Sequence, residues 1–416
     1  MIASYHWLIV TAERGDEEMK VVCRTSALTA GLQSAARVVS PRATLPILQN
    51  VKLEATIGEE GMLSITGTDM NTCVKRIVPA QVEKEGATTV QAKLLADLIA
   101  SFPETDITME LQDASLIIHD DGSEHLLPTV PADEFPIMPE IAEGVTFTID
   151  QATLRKLIRQ SVFAAATEET AGVCTGVLIE AEEDSLSLVA TDTHRMAIAR
   201  TKLSEPVERR IEAVIPATVL RDINRLLTET EETVHIAIDA AHIQLETKDM
   251  QCITLKMQGQ FPNYKRVIPK SFTRRLELNS ATFLSALRRV SLHVGEHTRC
   301  IVLHIERDKM TITAEDPEAG RGSGREVIPT ALDGEPLLIA FNASFLMDFF
   351  NVLESDTAIM EMNENYQAVV IRPVESEDEE GEQESTEKKS AKGAELEDGE
   401  WLYVVMPMQP PEQYEG

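Results

Sequence analysis

No Cys-x-x-Cys pair occurs in the 416 residues, and the five cysteines (Cys23, Cys73, Cys174, Cys252 and Cys300) are scattered and odd in number. A structural zinc site needs thiolates at close spacing and a disulfide framework needs an even set, so neither is expected and a reducing cytoplasm is. Long hydrophobic runs are missing too: none approaches the roughly 20 apolar residues that span a bilayer, so no membrane partner is expected. The opening "MIASYHWLIV" has no basic n-region and no small-residue cleavage site, which argues against a secretory leader. Positive charge is the third scarcity. Lys and Arg number 38 against 69 Asp and Glu, a formal net charge of −31, whereas duplex binders ordinarily show a basic footprint. That excludes nucleic acid only if the basic residues are evenly spread.

They are not. Residues 375–400, "ESEDEEGEQESTEKKSAKGAELEDGE", hold 12 acids and three lysines in one low-complexity run. Such a run has too little apolar surface to offset its ordering entropy and reads as a disordered loop. At 43% hydrophobic content, the remainder can bury more than one core, since a single core rarely grows past about 250–300 residues.

The chain repeats itself. "GTDM", "ATDT" and "AEDP" place Asp69, Asp192 and Asp316 at intervals of 123 and 124, while "AKLLADL", "ATVLRDI" and "ASFLMDF" place Asp97, Asp222 and Asp348 at 125 and 126. A third series, "SALTAGL", "QATLRKL" and "SATFLSAL", opens each unit with helical periodicity. Three copies of one domain follow, each with two amphipathic helices among short alternating strands such as "LSITGT", "LSLVAT" and "MTITAE". The fold class is α+β with antiparallel sheets. Boundaries fall at the proline-bearing "ADEFPIMPE" and "GQFPNYKRVIP", ending the first domain at 138 and giving 139–266 and 267–416 as the others, the last carrying the acidic insert.

Basic residues gather on the helices. "DQATLRKLIRQSVF" offers Asp150 as N-cap, Leu154, Leu157, Ile158 and Val162 on one face and Arg155, Lys156 and Arg159 on another. Arg221 and Arg225 stand four apart, and Arg37, Lys93, Arg288 and Arg289 lie on other helices; the last helix, "ASFLMDFFNVLES", has none. If the repeats turn these helices toward a common axis, an acidic protein acquires a basic inner surface. In "ATDTHRMAIA", Asp192 recurs as Asp69 and Asp316, which suits hydrogen bonding in a turn after a strand rather than catalysis. His194 and Arg195 have no counterparts and belong to something only the middle unit does. A catalytic dyad or metal-dependent hydrolase needs a nucleophile segment or second ligand cluster that is missing, so no enzyme, metal or cofactor is expected.

"LPILQNVKLEA", "ATDTHRMAIA", "QFPNYKRVIP" and "YVVMPM" resemble the bacterial sliding clamps, the beta subunits of the replicative DNA polymerase, from about residue 19 to 408. The resemblance implies a non-catalytic homodimer, closed head to tail into a ring of six domains with twelve helices lining the hole. Such a ring encircles duplex DNA without reading sequence and confers processivity. It implies a hydrophobic cleft between the second and third domains for linear motifs of the polymerase, the clamp loader, other polymerases and repair proteins. Carried onto this chain, the cleft comprises Cys174, Thr191, Thr193, His194, Arg195, Met196, Pro262, Arg266, Val267, Tyr366, Val404, Met406, Pro407 and Met408. Arg42, in "SPRATLPIL", joins the helix residues as DNA-facing, and Leu292 and His293 are expected to face Leu126 and Leu127 of a second copy. Two departures stand out: Cys174 replaces a common Leu, and Thr193 a common Gly. A clamp-like scaffold that binds peptides without being loaded on DNA is the alternative reading.

Overall fold

The computed structural model describes residues 19–40, 42–59, 61–141, 144–295, 299–315, 322–374 and 400–411. Segment 1–18, Asp316 and residues 375–399 of the acidic run lie outside the described residues. Six α-helices occur among those described, two per repeat: α1 Thr25–Ala36, α2 Ala92–Ser101, α3 Gln151–Ser161, α4 Ala217–Leu226, α5 Ser280–Val290 and α6 Ala343–Val352. Three start on a side-chain cap, which satisfies amide hydrogens that a first helical turn otherwise leaves open. Asp150 accepts from the Thr153 amide, Asn279 from Thr282 and Asn342 from Ser344. No helix among the described residues is long and apolar enough to cross a membrane.

The chain divides into two compact units, one of residues 1–144 and 235–255 and the other of 145–234 and 256–416. The middle repeat therefore contributes to both. In the first unit the antiparallel order runs His242–Glu246, Met250–Leu255, Thr72–Pro79, Met62–Thr68, Asn50–Thr56, Gly86–Gln91, Glu124–Pro131, Ser115–His119, Asp106–Gln112, Lys20–Arg24 and Gln81–Lys84. Leu28, Leu32 and Ala35 of α1 and Leu95 and Ile99 of α2 pack on Val51, Leu53, Leu63 and Ile65 of the sheet. Each Leu, Ile or Val among them, fully buried, contributes about 1.5–3 kcal/mol, and Ala35 less. The approach of α1 is close: a Cβ on Gly67 would stand 2.2 Å from the Ala35 carbonyl oxygen.

The second unit holds a nine-stranded antiparallel sheet, in the order Ile211–Pro216, Gly176–Glu182, Ser185–Thr191, Arg195–Lys202, Trp401–Val405, Val369–Pro373, Thr357–Met362, Arg274–Asn279 and Ala331–Asp333. A four-stranded sheet of Ser323–Pro329, Lys309–Glu315, Cys300–Ile305 and Leu337–Asn342 accompanies it. The last chain strand, Trp401–Val405, thus lies beside Arg195–Lys202 of the middle repeat, with Met196 opposite Val404.

Candidate functional site

One turn is built twice. Asp192 Oδ1 accepts from the amides of His194 (3.0 Å) and Arg195 (2.9 Å), and the Thr191 hydroxyl donates to the Arg195 carbonyl at 2.7 Å. Asp69 Oδ1 does the same for Asn71 (2.9 Å) and Thr72 (2.7 Å), with the Thr68 hydroxyl on the Thr72 carbonyl at 2.9 Å. Both turns hold a left-handed residue, Met70 and Thr193, each at φ 77°. The glycine expected at 193 suits that conformation; threonine adopts it only under strain. Among the described residues no group of three or more His, Cys, Asp or Glu could hold a metal ion.

From this turn a buried apolar surface extends across the sheet. Leu178 pairs with Val189, Val189 with Ile198 and Ile198 with Leu402, and all four lie in one cluster with Met196, Val404, Val370, Ala368, Tyr264 and Ile268. Phe261, Met257, Val173, Phe272 and Met406 pack at its margin, half-buried. The connector is anchored beside it. Glu180, its side chain 7% exposed, receives the Tyr264 hydroxyl; it also receives the Lys265 ammonium at 2.9 Å and Arg210 at 2.8 Å. Burial alone would raise the Glu180 pKa, but those donors outweigh it and hold the carboxyl below its ordinary value.

The expected cleft residues therefore sort into layers. Cys174, Thr191, Met196 and Val404 are buried; burial and the nearby Asp192 charge push the Cys174 thiol up. Thr193, His194, Pro262, Arg266, Val267 and Tyr366 are exposed, and Met406, Pro407 and Met408 are half-buried. The Met406 amide donates to His194 O at 2.9 Å, closing the rim, and the Met408 amide donates to Ala340 O. Arg195 does not line the groove as expected. Its side chain is 10% exposed and turned to the helices, because neighbours along a strand point to opposite faces and Met196 takes the floor. Leu178, Val189, Ile198, Leu402, Tyr264 and Glu180 were not expected. Their signal in the sequence was weak: the strand faces that carry Leu178 and Val189 also carry Glu180, Ser187 and Thr191, so alternation alone does not mark them, although both strands are buried on both faces.

The basic helix residues are largely matched by carboxylates. Lys93 pairs with Asp97, Arg155 with Glu229, Arg159 with Glu354 and Arg225 with Asp222. Arg289 grips Glu326 through two nitrogens, and Arg288 donates to Asn351. Arg221 turns inward to the Val162 carbonyl, and burial beside Arg195 lowers its pKa, so it leaves the exposed set. Arg37, Arg42 and Lys156 are exposed.

Of the residues expected between two copies, Leu292 is 72% and Leu126 59% exposed. Leu127 is a correction: it is 6% exposed and packs in the first unit's core, since strand alternation turns it opposite to Leu126. His293 is half-buried against Gly324, on the strand Ser323–Pro329 that ends the four-stranded sheet.

Three family models match the chain in order: the N-terminal domain of the DNA polymerase III beta subunit at residues 19–139, its central domain at 148–263 and its C-terminal domain at 265–383. The beta sliding clamp of Synechococcus elongatus is 30% identical over 360 residues, covering 86% of this chain and 96% of that protein. The beta sliding clamp of Escherichia coli (strain K12) is 28% identical over 355 residues, covering 85% and 95%. Among solved structures, the sliding clamp of Pseudomonas aeruginosa bound to griselimycin aligns with a TM-score of 0.83 at 28% identity, over 94% of this chain and all (100%) of that one. The clamp of Bacillus subtilis aligns with a TM-score of 0.83 at 26% identity, over 95% and 100%. With its paired helices, its antiparallel sheets and its two copies of one Asp-centred turn, the chain belongs to the DNA polymerase III beta subunit family, the non-catalytic sliding clamps.

Proposed function

We propose that this sliding clamp acts as a head-to-tail homodimer that encircles duplex DNA in the cytoplasm, is loaded by a clamp loader, and tethers the replicative polymerase and repair proteins through linear motifs. Each chain supplies three domains, 19–138, 139–266 and 267–416, to a ring of six, with segment 1–18 preceding the first in sequence. The motifs seat in a cleft between the second and third domains, against the half-buried Val173, Met257, Phe261 and Met406 that pack on the buried row Leu178, Val189, Ile198 and Leu402. That half-buried apolar margin carries the proposal, because apolar side chains with a few polar fixers at the rim are what an extended peptide requires.

Sliding needs attraction to phosphates without base contacts, so the DNA-facing cations act through charge and their effect fades with salt. Arg37, Arg42, Lys93, Lys156, Arg225, Arg288 and Arg289 are exposed, and those among them held in ion pairs become available once phosphates compete with their carboxylates. The test loads the protein on circular DNA with its cognate loader and ATP, then follows it by gel filtration before and after the circle is cut. Release only on cutting establishes encirclement. Equal retention on both forms means ordinary surface binding, and no retention with an active loader favours a peptide-binding scaffold.

A further inference from the structure

Asp97, Asp222 and Asp348 occupy equivalent places on α2, α4 and α6, and each meets a cation. For Asp97 the partner is Lys93 at 2.7 Å and for Asp222 it is Arg225 at 3.1 Å, both on the same helix. Helix α6 has no basic residue. Asp348 takes Arg195 instead, from a strand of the middle repeat, at 2.6 Å. The same guanidinium donates through Nε to Asp192 Oδ2 (2.9 Å) and through Nη2 to the Phe163 carbonyl (3.0 Å), and it lies 4.4 Å from the centre of the Phe345 ring. Asp192 thereby spends both oxygens, one on the turn amides and one on Arg195. In the equivalent turn of the first unit the position of Arg195 is Thr72, whose hydroxyl meets that of Thr254 at 2.9 Å. There the neighbouring helix is not engaged through a charge.

We propose that Arg195 and Asp348 form a positioning pair for the peptide cleft. They hold the Thr193–His194 rim from the helix side of the sheet, so the shape of the rim depends on α6. The inference rests on the cleft reading above. Arg195 itself faces away from the floor formed by Met196, so a seated peptide meets the turn that Arg195 holds rather than its guanidinium. Bidentate geometry matters, since a lysine keeps the charge but cannot bridge both carboxylates and the carbonyl.

Affinity is measured on the full chain by anisotropy of a fluorescein-labelled peptide carrying the clamp-binding motif of the host polymerase subunit. Asp348→Asn and Arg195→Lys are each expected to weaken binding about tenfold, and the double variant no more than the weaker single, because both break one strut. An Asp348→Asn affinity within about twofold of wild type, or losses that multiply, overturns the proposal. Hydrogen exchange gives a readout that peptide contact does not enter. The His194 and Arg195 amides are expected to exchange about tenfold faster in Asp348→Asn, with Asn71 and Thr72 unchanged as the internal control. Unaltered exchange at 194 and 195 sinks the inference even where peptide affinity falls. If the wild-type chain fails to bind the peptide, the cleft reading falls and the exchange data alone judge the positioning pair.

Discussion

Glu180 illustrates how one side chain can secure a site it does not enter. Its buried carboxylate ties the Tyr264 hydroxyl and Lys265, and with them the connector, to the strand Gly176–Glu182. Because its folded pKa lies below the ordinary 4.5, its contribution is present above that value and is lost as pH falls through the lowered one. Glu180→Gln is expected to reduce stability by about 1–3 kcal/mol near neutrality, and by progressively less as the solution is acidified. Denaturant midpoints for both proteins across the acid range check this; parallel curves would contradict it. At this scale the sequence was legible where chemistry is local. Recurrence at intervals of 123 and 124 identified Asp192 as a turn former, and its two amide contacts bear that out. The departure at Thr193 was visible as a residue type, but its φ of 77° was not. The direction of Arg195 was missed because it depends on strand register, which fixes which of two neighbours faces the floor.

Secondary structure elements carry the difference between two equivalent surfaces. Along the row where the second unit has Leu178, Val189, Ile198 and Leu402, the first has Lys52, Thr66, Lys75 and Gln251, paired in the same register. One backbone pattern thus yields a buried apolar row in one unit and a polar face in the other, so the proposed peptide reading follows the side chains rather than the fold. Helix α1 rests on its sheet through the absence of a side chain. Gly67→Ala would place a methyl 2.2 Å from the Ala35 carbonyl oxygen, a backbone atom that cannot move without its helix. A loss of about 1–3 kcal/mol is expected, read as a lowered thermal or denaturant midpoint, and an unchanged midpoint would show that α1 can shift freely. Helix periodicity made all six helices legible, and Asp150 as a cap with them. Partners of strands were not, because the pairing of Thr72–Pro79 with Met250–Leu255 joins segments with no local signal between them.

For the whole molecule, the exposed Leu292 beside the end strand Ser323–Pro329 is the residue by which the proposed head-to-tail dimer is tested. Leu292→Lys is expected to shift sedimentation from dimer to monomer without changing the melting of the chain, since a side chain 72% exposed gives up little packing. A dimer that persists at micromolar concentration would redirect the search to another surface. Threefold repetition was legible from spacing alone. The division into compact units, which cuts through the middle repeat, was not, because it is decided by which distant strands pair. That division has a consequence for synthesis. The chain leaves the ribosome from its N-terminus, and the partner strand of Thr72–Pro79 ends only at Leu255, more than a hundred residues after the first repeat is complete. At ordinary elongation rates the nascent first unit waits on the order of ten seconds with that strand's edge unpaired. An unpaired edge is a template for association with other chains, so the interval before Leu255 emerges is when a nascent clamp is most open to capture by a chaperone or by another nascent copy.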